Sequence, residues 1–258
     1  MEKLPVLFIG HGSPMNAIDD NEYSKKWKAI AIQIPKPEAI LCISAHWVTR
    51  GCFVTSMQHP HTIYDFYGFP SELYKVTYPA SGSPKLAETI INSIKSIKIS
   101  SDTTWGLDHG TWSVLCRMYP NADIPIIQLS LNADLTPAEH FELGKELRFL
   151  RNSGILVMGS GNIVHNLGEI NWGGTAFGWA VEFDALVKQK IENRNFTDLI
   201  NYQALGSMAH QAIPTNEHYL PLLYVLAAAE QDDNVSFFTE SITMGSISMR
   251  SMIFGNSC

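Results

Sequence analysis

Four histidines stand where folding signals place side chains at the tips of a scaffold: His11 in HGSP, His46 in SAHW, His165 in GSGNIVHN and His218 in NEHYLP. Imidazole is the commonest metal-ligating side chain, and a set of nitrogens, or of nitrogens and one carboxylate, suits iron or zinc. Rings carried to one edge of a rigid body can converge on a single divalent ion. Taken singly, each is better explained as a hydrogen-bonded structural residue or a surface residue; the joint pattern points to a centre. His109 is a fifth candidate of another kind. It lies in TWGLDHGTW, off the strand ends in what reads as an aromatic loop, with Gly106 and Gly110 allowing close backbone approach and Trp105 and Trp112 offering flat walls. A histidine so placed suits a substrate contact or proton donor, with a buried ring bonded to backbone as the alternative. His59 and His61 flank Pro60 in a loop, and His140 and His210 fall on helical stretches where solvated faces are expected.

The elements that must position these rings alternate along the chain. Short apolar runs read as strands over 6–9, 39–44, 124–129, 155–158 and 247–254. Most are continuous Val/Ile/Leu runs, the pattern of a sheet covered on both faces. Helical stretches are predicted over 23–33, 84–96, 137–151, 181–193, 198–205 and 220–229. The third is well signalled, because Thr136 can cap it with Pro137 at its first position and Glu139 three residues after the cap. This order predicts an α/β fold in a single domain over residues 1–258, a central, mostly parallel or mixed sheet with helices on both faces. Ligands in such sheets bind beyond the carboxyl ends of the strands. His11 follows VLFIG and His46 follows ILCISA, so both belong at that edge. Gly159, Ser160 and Gly161 are expected to make the tight turn that brings His165 back over it. Pro221 fits the first turn of the last helix, which leaves Glu217 and His218 at the helix entrance. Residues 58–79, rich in Pro, Tyr and Phe, read as a long irregular excursion of the functional kind.

Composition removes several function classes. A formal charge of −7, a pI near 5.7 and no Lys/Arg run leave no footprint for nucleic acid or anionic lipid. No uncharged apolar stretch approaches a bilayer span. The first strand-like run begins almost at once, without room for a secretion signal, and Cys42, Cys52, Cys116 and Cys258 are scattered without a CxxC pair. A cytoplasmic protein with reduced thiols is expected. Nothing in the sequence fixes an oligomeric state.

Seven strings carry a family resemblance: HGSP at 11–14, SAHW at 44–47, TIYDFYGFP at 62–70, GLDHGTW at 106–112, GSGNIVHN at 159–166, EHYLPLLY at 217–224 and SISMRS at 246–251. In number, order and spacing the chain resembles the extradiol ring-cleavage dioxygenases of the LigB type, 4,5-DOPA dioxygenase branch, almost from end to end. The resemblance implies a mononuclear non-haem metal site, with Fe(II) for catalysis and Zn(II) as an ion such sites also take up. It implies O2-dependent opening of a catechol ring in a DOPA-like substrate, a step in the breakdown of aromatic compounds. His11 and His46 correspond to the first two ligands. The third falls at His218, with Glu217 as the substitute, since distant members use a glutamate there. His165 corresponds to the active-site histidine beside the metal, either general base or fourth ligand, and His109 to the histidine that contacts substrate or oxygen.

These residue types meet the needs of that reaction. Two hydroxyls on one cation become more acidic, and three lasting protein ligands leave positions open for substrate and O2. A histidine titrating near neutrality can take the second phenolic proton, here His165, while another, here His109, returns a proton for O–O cleavage. Tyr64, Phe66, Trp105 or Trp112 could stack on the ring. Arg50 and Arg250 are the cations available for a substrate carboxylate. Two rival readings use the same histidines: a zinc hydrolase with Glu217 as general base, and a binding protein that keeps the metal pocket without turnover.

Overall fold

The computed structural model describes residues 3–255. Its strands are β1 (Val6–Gly10), β2 (Ala39–Thr49), β3 (Cys52–Thr55), β4 (Ile99–Asp102), β5 (Ile126–Asn132), β6 (Ile155–Gly161), β7 (Asn234–Phe238), β8 (Ile242–Thr243), β9 (Ile247–Ser248) and β10 (Ser251–Gly255). Among the described residues, eight of them form one sheet in the order β4-β3-β5-β2-β6-β1-β10-β7, and β8 pairs with β9 alone. The four central strands, β5, β2, β6 and β1, are mutually parallel, while β3 on β5, β10 on β1 and β7 on β10 run antiparallel. The expected mixed α/β sheet is present.

The helices are α1 (Glu22–Gln33), α2 (Pro84–Ser93), α3 (His109–Met118), α4 (Pro137–Glu146), α5 (Gly178–Glu192), α6 (Phe196–Ile200), α7 (Ser207–Ala212) and α8 (Leu220–Ala228). They cover both faces, and β1 shows how. Val6 and Phe8 enter one core with residues of α2, α4, α5 and α8, whereas Leu7 and Ile9 enter the other with Trp27 of α1 and Leu115 of α3. A strand with two apolar faces cannot alternate in polarity, hence the continuous runs. The cap of α4 is as its sequence signals, a reciprocal pair between Thr136 and Glu139 with Pro137 in the first turn.

Several elements differ from their sequence signals, each for a local reason. The helix from Pro137 is α-helical only to Glu146, tightens to 3-10 geometry through Ser153, and ends on Gly154 at φ +73°. The run 247–254 divides between β9 and β10, in different sheets. Short, partly polar β4 and β7 present no apolar run. Helix α3 lies where a loop was expected; Gly110, Thr111 and Ser113 in its first turns are poor helix formers. His140 faces the interior, not solvent: it is fully buried on α4, with Nδ1 2.8 Å from the Tyr224 hydroxyl of α8. Gly159, Ser160 and Gly161 belong to β6 and make no turn. The two glycines instead let the start of α8 press on the strand, since a Cβ at Gly159 would lie 2.6 Å from the Pro221 carbonyl oxygen and one at Gly161 2.1 Å from that of His218. Cys42, Cys52 and Cys116 are free thiols, and burial raises Cys52 to about 11. Cys258 lies outside the described residues.

Candidate active site

The carboxyl edge of the central strands carries the histidines. His11 follows β1, its backbone N–H donating to the Gly161 carbonyl at 3.1 Å, and Gly12 at φ +58° turns the chain away. His46 lies within β2 at a break in register. Ile43 pairs with Leu129 and Val48 with Leu131, so Ser44 to Trp47 bulge out opposite Ser130. Such a bulge re-aims a side chain without ending the strand. His218 stands ahead of α8, its carbonyl accepting from the backbone N–H of Asn162 at 2.8 Å just past β6. His165 bridges to Ile247 of β9. His109 opens α3, whose cap is the buried Asp108.

Three of these rings meet. Ligand-capable atoms of His11, His46 and His218 lie within 4.8 Å of one another. His11 Nε2 and His46 Nε2 are 3.1 Å apart, and His218 has its ring centre 5.4 Å from that of His11 and 5.0 Å from that of His46. His165 belongs to a neighbouring set with Glu217 and His218, its ring stacked on His218 at 3.5 Å and 8°. His109 is edge-on to His11 and 3.9 Å from the His46 ring centre.

Hydrogen bonds fix which nitrogen of His11 and of His218 carries the proton, and an ion-pair contact sets the side of His46 that faces outward. The Ser160 hydroxyl donates to the Gly110 carbonyl at 2.5 Å, so it can only accept from His11, whose Nδ1 is 3.1 Å away. The His46 Nδ1 lies 3.2 Å from Asp65 Oδ2. The His218 Nδ1 lies 3.0 Å from Glu217 Oε1, which also accepts from the Thr215 hydroxyl at 2.9 Å. In His11 and His218 Nδ1 is therefore a donor and Nε2 a bare lone pair, while in His46 it is Nδ1 that faces a carboxylate. His11 and His46 bring their Nε2 atoms to 3.1 Å from each other. That spacing suits two nitrogens sharing one ion at about 2.0–2.1 Å from each. The donor set fits a divalent metal, with a hydroxyl and two carboxylates as outer partners.

The electrostatics agree. Burial pushes the Glu217 carboxyl up, but the hydrogen bond and charge of His218 overcome this and hold it at about 2. Burial likewise raises Asp65, and hydrogen bonds from His109 bring it below the usual carboxylate range. Burial, then the neighbouring imidazoles, keep His11 and His46 well below their ordinary value, in the neutral form that ligates. His165 is lowered to about 3, first by burial and then by His218, so its ring is neutral at ordinary pH and does not titrate near neutrality as the sequence reading expected.

Some singled-out residues lie elsewhere. Trp112 is fully buried and donates its indole N–H to the Ile63 carbonyl, so it supports the aromatic loop from beneath. Trp105 stacks on Trp47 at 5.7 Å. Phe66 stands edge-on to His109 at 5.5 Å, and Tyr64 packs beside Phe66 with its hydroxyl on the Val76 carbonyl. Arg250 is buried in ion pairs with Asp184 and Glu240, and Arg50 is exposed. Asp65 was missed. Its one signal was a lone acid among the aromatics of TIYDFYGFP. Asp108 was missed too; it accepts from Ser44 at 2.7 Å and Gln128 at 2.6 Å, tying the start of the β2 bulge to the residue before His109.

Comparison with known proteins agrees with this geometry. Residues 5–255 match the family model described as the catalytic LigB subunit of aromatic ring-opening dioxygenase. The 4,5-DOPA dioxygenase extradiol of Escherichia coli K12 is 44% identical, over 98% of this chain and 95% of its own. That of Beta vulgaris is 37% identical, over 96% and 95%. The crystal structure of an uncharacterized protein from Escherichia coli K12 superposes with a TM-score of 0.86 at 41% identity, covering 98% of this chain and all of that one. The chain belongs to the LigB family and is an extradiol dioxygenase, an oxidoreductase that opens a catechol ring with O2. No helix among the described residues is long and apolar enough to cross a membrane.

Proposed function

We propose that the chain opens a DOPA-like catechol at an Fe(II) held by His11, His46 and His218, with His165 as general base and His109 as the substrate-side proton carrier. The observation that carries this reading is the convergence of three imidazoles, each with Nδ1 turned to a hydroxyl or carboxylate and two of them held there by hydrogen bonds. An iron bound there supplies Lewis acidity toward both catechol oxygens and redox chemistry toward O2. The protein residues do the rest. His165 sits against His218, where a neutral ring nitrogen can take a phenolic proton from a bound diol. A place as fourth ligand in the substrate-free enzyme suits the same position. His109 commits Nδ1 to Asp65, which leaves Nε2 to carry the proton it hands on. Phe66, beside His109, supplies an apolar edge that excludes water.

The DOPA-like substrate rests on the names of the relatives. A cytoplasmic setting suits the three free thiols, and an acidic chain suits a small-molecule partner better than nucleic acid or membrane. The hydrolase alternative needs Glu217 free as a base, but that carboxylate is engaged by His218 and Thr215. The test is anaerobic reconstitution of the metal-stripped protein with Fe(II) or Zn(II), then addition of L-DOPA and air. Yellow semialdehyde with stoichiometric O2 uptake in the iron sample alone is expected. Turnover with zinc in the absence of O2 uptake would overturn the proposal.

A further inference from the structure

One carboxylate serves two of the active-site imidazoles. Asp65 Oδ2 lies 3.2 Å from His46 Nδ1 and 2.9 Å from His109 Nδ1, while its Oδ1 accepts the backbone N–H of His109 at 2.9 Å. We infer that Asp65 is a shared positioning residue, fixing at once the metal-facing Nε2 of His46 and the substrate-facing Nε2 of His109. The inference rests on the metal-centre reading above and assigns to it a residue of the long loop.

The loop is built to hold that carboxylate still. Ahead of Asp65, the Leu107 N–H donates to the His61 carbonyl at 2.8 Å and the Ile63 N–H to that of Leu107 at 2.7 Å. Trp112 then donates to the Ile63 carbonyl, and the Tyr64 hydroxyl bonds the Val76 carbonyl at 2.7 Å. The peptide before Asp65 is thus tied to the segment that leads into α3 and to α3 itself, the helix that His109 begins. Gly106 makes the approach possible, since a Cβ there would lie 2.1 Å from the His61 carbonyl oxygen. Outer carboxylates of this kind orient a ligating ring and fix its tautomer, and their loss weakens metal binding by roughly 10–100-fold. Asp65 differs from Glu217 in having two rings on one oxygen, so its loss reaches both the metal face and the substrate face.

The experiment compares metal-stripped wild type, Asp65→Ala and Asp65→Asn. Zn2+ affinity is measured by chelator competition, and long-range 1H–15N spectra of the zinc-loaded proteins read which ring nitrogens carry protons. We expect Asp65→Ala to bind zinc roughly 10–100-fold more weakly. In both variants the Nδ1–H signatures of His46 and His109 should change while those of His11 and His218 stay in place. In Asp65→Asn one of the two acceptor oxygens becomes an NH2 donor, which must face either the His109 N–H or the two Nδ1 atoms, so that variant keeps the test decisive if the alanine protein fails to fold. Variants that bind zinc within twofold of wild type with unchanged tautomers overturn the assignment. A wild type that binds no zinc through its histidines instead overturns the metal-centre reading, and this assignment with it.

Discussion

Gly161→Ala should uncouple the His218 side of the centre from the rest. Gly161 ends β6, its carbonyl accepts from the His11 N–H, and the position of its missing Cβ lies 2.1 Å from the His218 carbonyl oxygen and 3.3 Å from Pro221 Cγ. A carbon and a carbonyl oxygen do not approach much inside about 3.0–3.3 Å, so the start of α8 must retreat by roughly 1 Å. Pro221 and the buried α8 resist that movement, and overpacking of this kind destabilises by roughly 1–3 kcal/mol, a fall in Tm of roughly 3–10 °C. The functional effect is larger than the thermal one suggests. His218 moves away from His11 and His46, and a misplacement near 1 Å lowers turnover by on the order of 100-fold. The assay pairs zinc or iron affinity with kcat/KM for L-DOPA ring opening, with Gly178→Ala as the control, because a Cβ at Gly178 meets nothing within 4 Å. Gly161→Ala with affinity and turnover within twofold of wild type would refute the claim that this contact seats His218.

Three further outcomes follow from the same structure. His46→Ala should abolish metal retention, whereas His165→Ala should keep most of the metal and lose turnover; equal metal loss in both, measured by elemental analysis, would make His165 a principal ligand. His140, held at about 4 mainly by burial, binds a proton more weakly folded than unfolded, so its contribution to stability is complete above pH about 6.5 and is lost as the pH falls toward 4. That loss is on the order of 3 kcal/mol, and urea midpoints should fall less steeply over this window in His140→Phe. Removing Asp233 by D233A should strand fully buried Arg151, whose guanidinium it holds at 2.5 and 2.9 Å, and lower unfolding free energy by roughly 3–5 kcal/mol in urea titrations; a loss below 1 kcal/mol would show that water replaces it.

The parts of this site that were legible in the sequence were those tied to strand ends. Continuous apolar runs announce β1, β2 and β6, and a histidine just past such a run must lie at the carboxyl edge. Helix α3 stayed hidden because Gly110, Thr111 and Ser113, poor helix formers, occupy its first turns and read as loop. Its one local mark is Asp108, which caps it by accepting from the Thr111 N–H, and the flanking glycines and tryptophans masked that signal. The bulge that aims His46 depends on pairing with β5, a neighbour far along the chain. Asp65 shows the limit most clearly, since nothing near it in sequence names His46 or His109 as partners. Outer-shell contacts are long-range by nature, and so only the folded chain discloses them.

The central claim is that His11, His46 and His218 hold one ion through their Nε2 atoms, and a crystal structure of the anaerobically iron-loaded protein tests it most directly. The account predicts a single iron with all three Nε2 atoms within about 2.0–2.2 Å, Nδ1 still facing Ser160, Asp65 and Glu217. An iron bound elsewhere, or bound through Glu217 with His218 turned away, would contradict it.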